Sequence, residues 1–290
     1  MAKVVIIGAG PAGVSAALYA RRGGAEVTVI SSEKDTGSLI KAHQIENYYG
    51  LAEPVSGAEL IQRGIQGAKR IGVEFIQGDV VAVAFSEDFH GYQVETEQMK
   101  YHADSVILAA GAAHKTLPIP GIREFEGKGI SYCAICDAFF YRQKQVAVIG
   151  AGEYAFHEAA ALLPHAAQVT LLTNGEDIAG RPPEALVLRK EKLAAVEGSG
   201  RVQRVRFQDG SLLPVDGVFL AVGVAGSTEL ARKMGVMLAG NAIKVDERMA
   251  TNIPGIFAAG DCTGGLRQVA KAVYQGAEAG LAAVRYLREK

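Results

Sequence analysis

Two glycine-rich loops of the dinucleotide-fingerprint type bracket a Cys-x-x-Cys in this chain, and that order constrains the fold more than any other feature. The first loop, Gly8-Ala9-Gly10-Pro11-Ala12-Gly13, ends the apolar run Val4–Ile7. It opens a small-residue helix expected from about Ala12 to Arg22, which Gly23-Gly24 stops before a strand at Val27–Ile30. The second loop, Gly150-Ala151-Gly152-Glu153-Tyr154-Ala155, repeats the plan with strands at Gln145–Ile149 and Val169–Leu172 and a helix from about Tyr154 to Leu163. Continuous apolar strands alternating with helices belong to parallel sheets buried on both faces. The expected class is therefore α/β, with two Rossmann-like domains.

Val80–Phe85 and Tyr92–Glu97 read as strands of a small antiparallel insertion, and Ser105–Ala109 as a further buried strand closed by Ala110-Gly111. Near the C-terminus, Gly255–Asp261 reads as a strand entering a Gly-Asp turn, followed by an alanine-rich helix from about Gln268 to Leu287. These last elements fit the first nucleotide domain better than the second. The expected organisation is a discontinuous first domain, 1–113 plus 243–290, into which a second, 114–242, is inserted. The crossings are expected near Leu117–Gly121 and near Gly240.

A length of 290 residues suits two domains. The net charge of -1 argues against a nucleic-acid or anionic-membrane partner read by bulk charge. Folded sequence begins at Lys3 and no apolar stretch approaches the ~18 residues of a membrane span, so a soluble, cytoplasmic protein is expected. Three cysteines are too few for a disulfide scaffold.

In Gly8-x-Gly10-x-x-Gly13 the first glycine makes a tight turn, the second lets backbone approach a pyrophosphate, and the third packs the helix against the strand. The helix N-terminus adds free N–H groups and the positive end of its dipole. The acidic ribose partner is imperfect: Ser31 fills the strand-end slot and Glu33 lies two residues on. Cys133-Ala134-Ile135-Cys136 is suited to close a redox disulfide, with Asp137 beside it as an acid able to exchange protons. A metal site would need further ligands, and Cys262 alone is at hand; inert buried thiols are the other alternative. Cys262 itself reads as a small buried hydrophobe.

Across nearly its whole length the chain resembles the low-molecular-weight thioredoxin reductases. The anchors are Gly8–Gly13, Ile45-Glu46-Asn47-Tyr48-Tyr49-Gly50, Ala109-Ala110-Gly111, Cys133–Asp137, Gly260-Asp261 and Arg267-Gln268-Val269. The resemblance implies an FAD-dependent reductase of thioredoxin and a homodimer. It implies FAD contacts from Gly8, Gly10, Pro11, Ala12, Gly13, Ser31, Glu33, Asn47, Ala110, Gly111, Gly260, Asp261, Arg267, Gln268 and Val269. It also implies that Cys136 faces the flavin, that Cys133 attacks thioredoxin, and that Asp137 exchanges protons.

The second fingerprint departs from NADPH-dependent members. Tyr154 replaces a small polar residue and is expected to crowd a pyrophosphate. The strand-end arginines that would hold a 2′-phosphate are replaced by Thr173-Asn174-Gly175-Glu176-Asp177, and Gly180–Glu184 stands where the family has a full helix. The pattern is similar to the ferredoxin-dependent flavin thioredoxin reductases, which makes ferredoxin the expected donor. Three readings compete with this one: NADPH held through other residues, NADH held through Glu176 or Asp177, and a flavoprotein redox switch without turnover. Arg201, Arg204 and Arg206 alternate along a strand and offer either a solvated face or a docking face for an acidic donor.

Overall fold

The computed structural model describes the chain except residues 33–38, 41, 43, 88–89, 112–116, 133, 179 and 223–225, together with the side chains of Ile135 and Cys136. The chain divides into two compact units, Met1–Ala113 with Gly226–Lys290, and His114–Ala225.

The first segment runs β1 (Lys3–Ile7), α1 (Pro11–Arg22), β2 (Glu26–Ser31), α2 (Gly57–Arg70) and β3 (Glu74–Gln77). It continues through β4 (Val80–Phe85), β5 (Tyr92–Thr96), β6 (Lys100–Ala103) and β7 (Ser105–Leu108). The second unit holds β8 (Ile130–Ser131), the single turn α3 (Ala134–Asp137), β9 (Gln145–Ile149), α4 (Glu153–Leu162) and β10 (Gln168–Leu172). Then follow β11 (Val187–Arg189), β12 (Leu193–Gly198), β13 (Val202–Phe207), β14 (Leu212–Pro214) and β15 (Gly217–Leu220). The return segment carries α5 (Ser227–Lys233), β16 (Leu238–Ala239), β17 (Ala242–Ile243), β18 (Ile256–Ala258) and α6 (Val269–Glu289).

The first unit is built on a parallel sheet of order β18-β7-β1-β2-β3. Strands β7 and β18 are buried along their whole length and β1 from Val4 onward, as parallel strands covered on both faces must be. The chain steps from β1 to β2 to β3, then returns to pair β7 with β1. The strand order therefore reverses between β1 and β7, the place where open α/β sheets bind ligands outside their strand ends. Helices α1 and α6 pack there nearly backbone to backbone. A Cβ at Gly276 would lie 2.1 Å from the Ala12 carbonyl oxygen, and one at Gly280 would lie 2.4 Å from that of Ala16. Strands β4, β5 and β6 form the antiparallel insertion.

The second unit repeats the design, with sheet order β11-β10-β9-β15-β8, all parallel. Its reversal falls between β9 and β15. Among the described residues no helix joins β10 to β11, so this crossover lacks the element a full nucleotide-binding half carries. An antiparallel sheet of β12, β13 and β14 covers the core around Phe207 and Val205.

The return crossing differs from the expected one. The chain rejoins the first unit at Gly226, not at 243, because α5 docks there: Ser227 is fully buried and its hydroxyl accepts the Ala110 amide at 2.8 Å. Gly240 is no crossing. With Asn241 it forms the two-residue loop between the antiparallel strands β16 and β17. Leu117–Gly121 also lies inside the second unit, where the Pro120 carbonyl accepts the Val196 amide.

Candidate functional site

In the first unit the glycine loop leaves β1 at the reversal point. Gly8 has φ +109°, and a Cβ there would lie 2.5 Å from the Ala109 carbonyl oxygen. A Cβ at Gly13 would lie 1.9 Å from the Gly8 carbonyl oxygen, so the turn and the helix touch through these two positions. Gly10 is the N-cap of α1, and a Cβ there would meet nothing within 4 Å. Pro11 occupies the first helical position, no side chain caps α1, and its first turn carries no acid. These uncapped amides, fronted by open space and free of negative charge, fit the pyrophosphate of a dinucleotide.

The other expected cofactor residues gather at the same end. Ala110 and Gly111 follow β7, with Gly111 at φ +74°. Gly260, at φ +89°, follows β18, and a Cβ there would lie 2.9 Å from that of Ala12. Its amide donates to Gln275 Oε1 at 3.0 Å, and Asp261 follows in a short 3-10 turn. Asn47 Nδ2 donates to Gln268 Oε1 at 3.2 Å, joining two expected residues far apart in the chain. Arg267 and Gln268 are exposed, and Val269 begins α6. Ser31 ends β2, half-buried; Glu33 lies outside the described residues.

Lys271 is a residue that sequence reasoning missed. Its Nζ donates to the Gly260 and Gly264 carbonyls at 2.8 and 2.6 Å and to Thr263 Oγ1 at 3.2 Å, pinning the turn that carries Asp261. Burial pushes its ammonium down from the ordinary lysine value, while the nearby Asp261 acts the other way. Cys262, in the same turn, is fully buried, and its Sγ lies 3.3 Å from the Ala259 carbonyl. Burial pushes its thiol up to about 12.

In the second unit the dithiol segment leaves the carboxyl end of β8, two strands from the point where α4 begins. Cys133 lies outside the described residues; Cys136 stands on α3, with Asp137 closing that turn. Ser131 Oγ donates to Asp137 Oδ2 at 2.7 Å, which orients the carboxylate at the end of that turn. Glu158 of α4 is 1% exposed, and its Oε2 accepts the Ala134 amide at 2.6 Å. His157, a quarter exposed, has Nδ1 3.7 Å from Glu158 Oε1.

The second glycine loop keeps its architecture. A Cβ at Gly150 would lie 2.2 Å from the Ala221 carbonyl oxygen and 2.7 Å from Ala155 Cβ. The expected crowding by Tyr154 is corrected by the structure. Its ring is buried, 3% exposed, and its hydroxyl lies 3.5 Å from the Tyr132 carbonyl, turned into the unit. The residue at the helix mouth is Glu153. Its carboxylate lies so close to Gly180 that a Cβ there would be 1.9 Å from Oε1. An anion in the first turn, with the 180s segment against it, opposes a pyrophosphate.

Two arginines of the following stretch pair with neighbouring carboxylates. Arg181 lies 3.4 Å from Glu184 Oε1, and Arg189 donates to Glu191 Oε1 at 2.8 Å while its guanidinium sits over the Phe207 ring. Arg204 and Arg206 both donate to Glu197, at 2.9 and 2.6 Å, so the basic strand is partly neutralised. Those two hydrogen bonds, Arg206 first, hold the Glu197 carboxyl below its usual range.

Residues 2–276 match the family model described as pyridine nucleotide-disulphide oxidoreductase. A thioredoxin reductase of Listeria innocua is 34% identical over 302 residues, covering 99% of this chain and 94% of the relative. The solved atypical thioredoxin reductase TRi of Desulfovibrio vulgaris Hildenborough is 38% identical, with a TM-score of 0.92 over 100% of this chain and 99% of that one. A ferredoxin-flavin thioredoxin reductase of Clostridium acetobutylicum is 33% identical, with a TM-score of 0.72 over 99% of this chain and 98% of that one.

Proposed function

Because this chain belongs to the pyridine nucleotide-disulphide oxidoreductase family, as a thioredoxin reductase with FAD as its cofactor, we propose that it reduces thioredoxin through Cys133 and Cys136 with electrons from ferredoxin. The observation that carries the donor reading is the Glu153 carboxylate set against Gly180 at the mouth of α4. The absence of a crossover helix among the described residues supports it, as does the likeness to the ferredoxin-flavin thioredoxin reductase of Clostridium acetobutylicum.

The glycine loop Gly8–Gly13, with Pro11 and Ala12, would hold the FAD pyrophosphate on the α1 amides. Ala110, Gly111, Gly260 and Asp261 would line the cofactor between them and the α6 end at Arg267, Gln268 and Val269. Ser31, Glu33 and Asn47 would complete its surroundings. FAD, once bound there, would supply the electron pair needed to open the Cys133–Cys136 disulfide. Cys133, as a thiolate, attacks one sulfur of the substrate disulfide and releases the other as a thiolate. Cys136 then attacks Cys133, closing the protein disulfide and releasing the second substrate thiolate. Asp137, held by Ser131, exchanges the protons that the thiols lose and regain. The working form is a homodimer.

The test is anaerobic turnover with reduced ferredoxin and thioredoxin, counting new thioredoxin thiols. Multiple turnovers are expected from the wild-type protein. C136S should trap thioredoxin on Cys133 as a mixed disulfide. A single turnover, or trapping by C133S instead, would refute the reading.

A further inference from the structure

We propose that α4 serves as the clamp of the dithiol segment, with Glu158 as the positioning residue that fixes the Ala134 amide, one residue after Cys133 in the chain. The inference rests on the reading above that Cys133 and Cys136 form the working pair.

Tyr154 and Glu158 are four residues apart on one helix and so share a face. Both reach the segment around the first cysteine. The Tyr154 hydroxyl lies 3.5 Å from the carbonyl of Tyr132, the residue before Cys133. Glu158 Oε2 accepts the amide of Ala134, the residue after it, at 2.6 Å. The two contacts bracket Cys133 in the chain, and Glu158 makes much the shorter one.

The Ala134 amide begins a single helical turn and has no partner within that turn. Glu158 supplies one. A carboxylate that is 1% exposed is a costly way to fill space that a leucine would fill more stably. Its placement is explained by what it holds. Asp137 is held at the other end of the same turn by Ser131, so both ends are fixed by side chains.

The same argument accounts for the second glycine loop. Gly150 lets α4 start against Ala221 at the end of β15, beside β8 and the dithiol segment. A shift of that start would carry Glu158 away from Ala134. The loop is thus required by the dithiol whether or not a nucleotide ever binds there.

The test is peptide-resolved alkylation of the reduced holoprotein by iodoacetamide, comparing wild type, E158A and E158Q at one pH. Loss of a hydrogen bond to a charged group is worth roughly tenfold or more in an equilibrium. E158A should therefore change the Cys133-to-Cys136 alkylation ratio by roughly tenfold. E158Q keeps a neutral acceptor at the same place, which holds the amide more weakly than a carboxylate does, so its ratio should fall between those of wild type and E158A. Should E158A not fold, E158L fills the space and is read in the same way. A wild-type ratio in a folded E158A or E158L overturns the proposal, and so does an E158Q as altered as E158A. Thioredoxin turnover by the wild-type protein tests the reductase reading separately, and the alkylation comparison does not depend on its outcome.

Discussion

Gly10 and Gly13 belong to one fingerprint, yet substituting them should produce opposite defects. At Gly13 an added Cβ would lie 1.9 Å from the Gly8 carbonyl oxygen, a backbone atom that cannot rotate away. Helix α1 would have to move off β1. Overpacking of this kind costs about 1–3 kcal/mol, which for a unit of this size lowers Tm by roughly 3–10 °C. At Gly10 an added side chain meets no protein atom within 4 Å, and φ -72° with ψ -178° is extended backbone open to valine. The apoprotein of G10V should melt within about 2 °C of wild type, since the restricted unfolded chain offsets a weaker cap. What the valine does occupy is the space before the α1 amides, so FAD should be lost. The assay pairs calorimetry of the apoproteins with flavin absorbance after gel filtration. G13A should lose stability first and FAD only as a consequence. Stoichiometric FAD in G10V, or an apo melting point as low as that of G13A, would refute the reasoning.

Three further outcomes follow from the same contacts. Cys262 should resist thiol reagents in the native reduced protein at pH 8 and react only on unfolding. Its folded value near 12 lies above the unfolded value of about 8.5, so its stabilisation is complete below that pH and lost on rising towards 12; C262A should flatten the alkaline fall of stability, read by denaturant titration against pH. D137N should slow thioredoxin reduction roughly a hundredfold with FAD content unchanged, and S131A should fall between it and wild type; full activity in D137N would remove the acid from the proton path. K271M should weaken FAD binding roughly tenfold, read by fluorescence titration of the apoprotein, because the turn bearing Asp261 loses its tie to α6; unchanged affinity would show that the turn holds itself.

The parallel strands were legible because their burial writes itself as unbroken apolar runs such as Val4–Ile7 and Val146–Ile149. The glycine loops were legible because close backbone approach excludes side chains. What escaped was contact between distant segments. Helix α2 carries its apolar residues on one side only and begins with the Ser56–Glu59 cap, yet it lies outside both fingerprint repeats. Gly240 looks like a linker and is a hairpin turn, because the pairing of Leu238 with Ile243 decides its role. Tyr154 stands on the first turn of its helix, as the repeat implies, but the side it faces depends on the dithiol segment about twenty residues earlier. Glu158 and Lys271 gave no local signal. Each acts on backbone groups brought near by the sheet order, and charged residues in helices are ordinarily solvated.

The central claim is that the second unit serves the dithiol and takes no electrons from a pyridine nucleotide. Anaerobic mixing with millimolar NADPH or NADH, following flavin absorbance, tests it most directly. For NADPH a missing arginine–phosphate pair lowers affinity roughly ten- to a hundredfold, and for either nucleotide the Glu153 carboxylate at the α4 mouth opposes the pyrophosphate. The flavin should stay oxidised with both nucleotides and bleach promptly with reduced ferredoxin or a chemical one-electron donor. Rapid stoichiometric bleaching by NADPH or NADH would contradict the account.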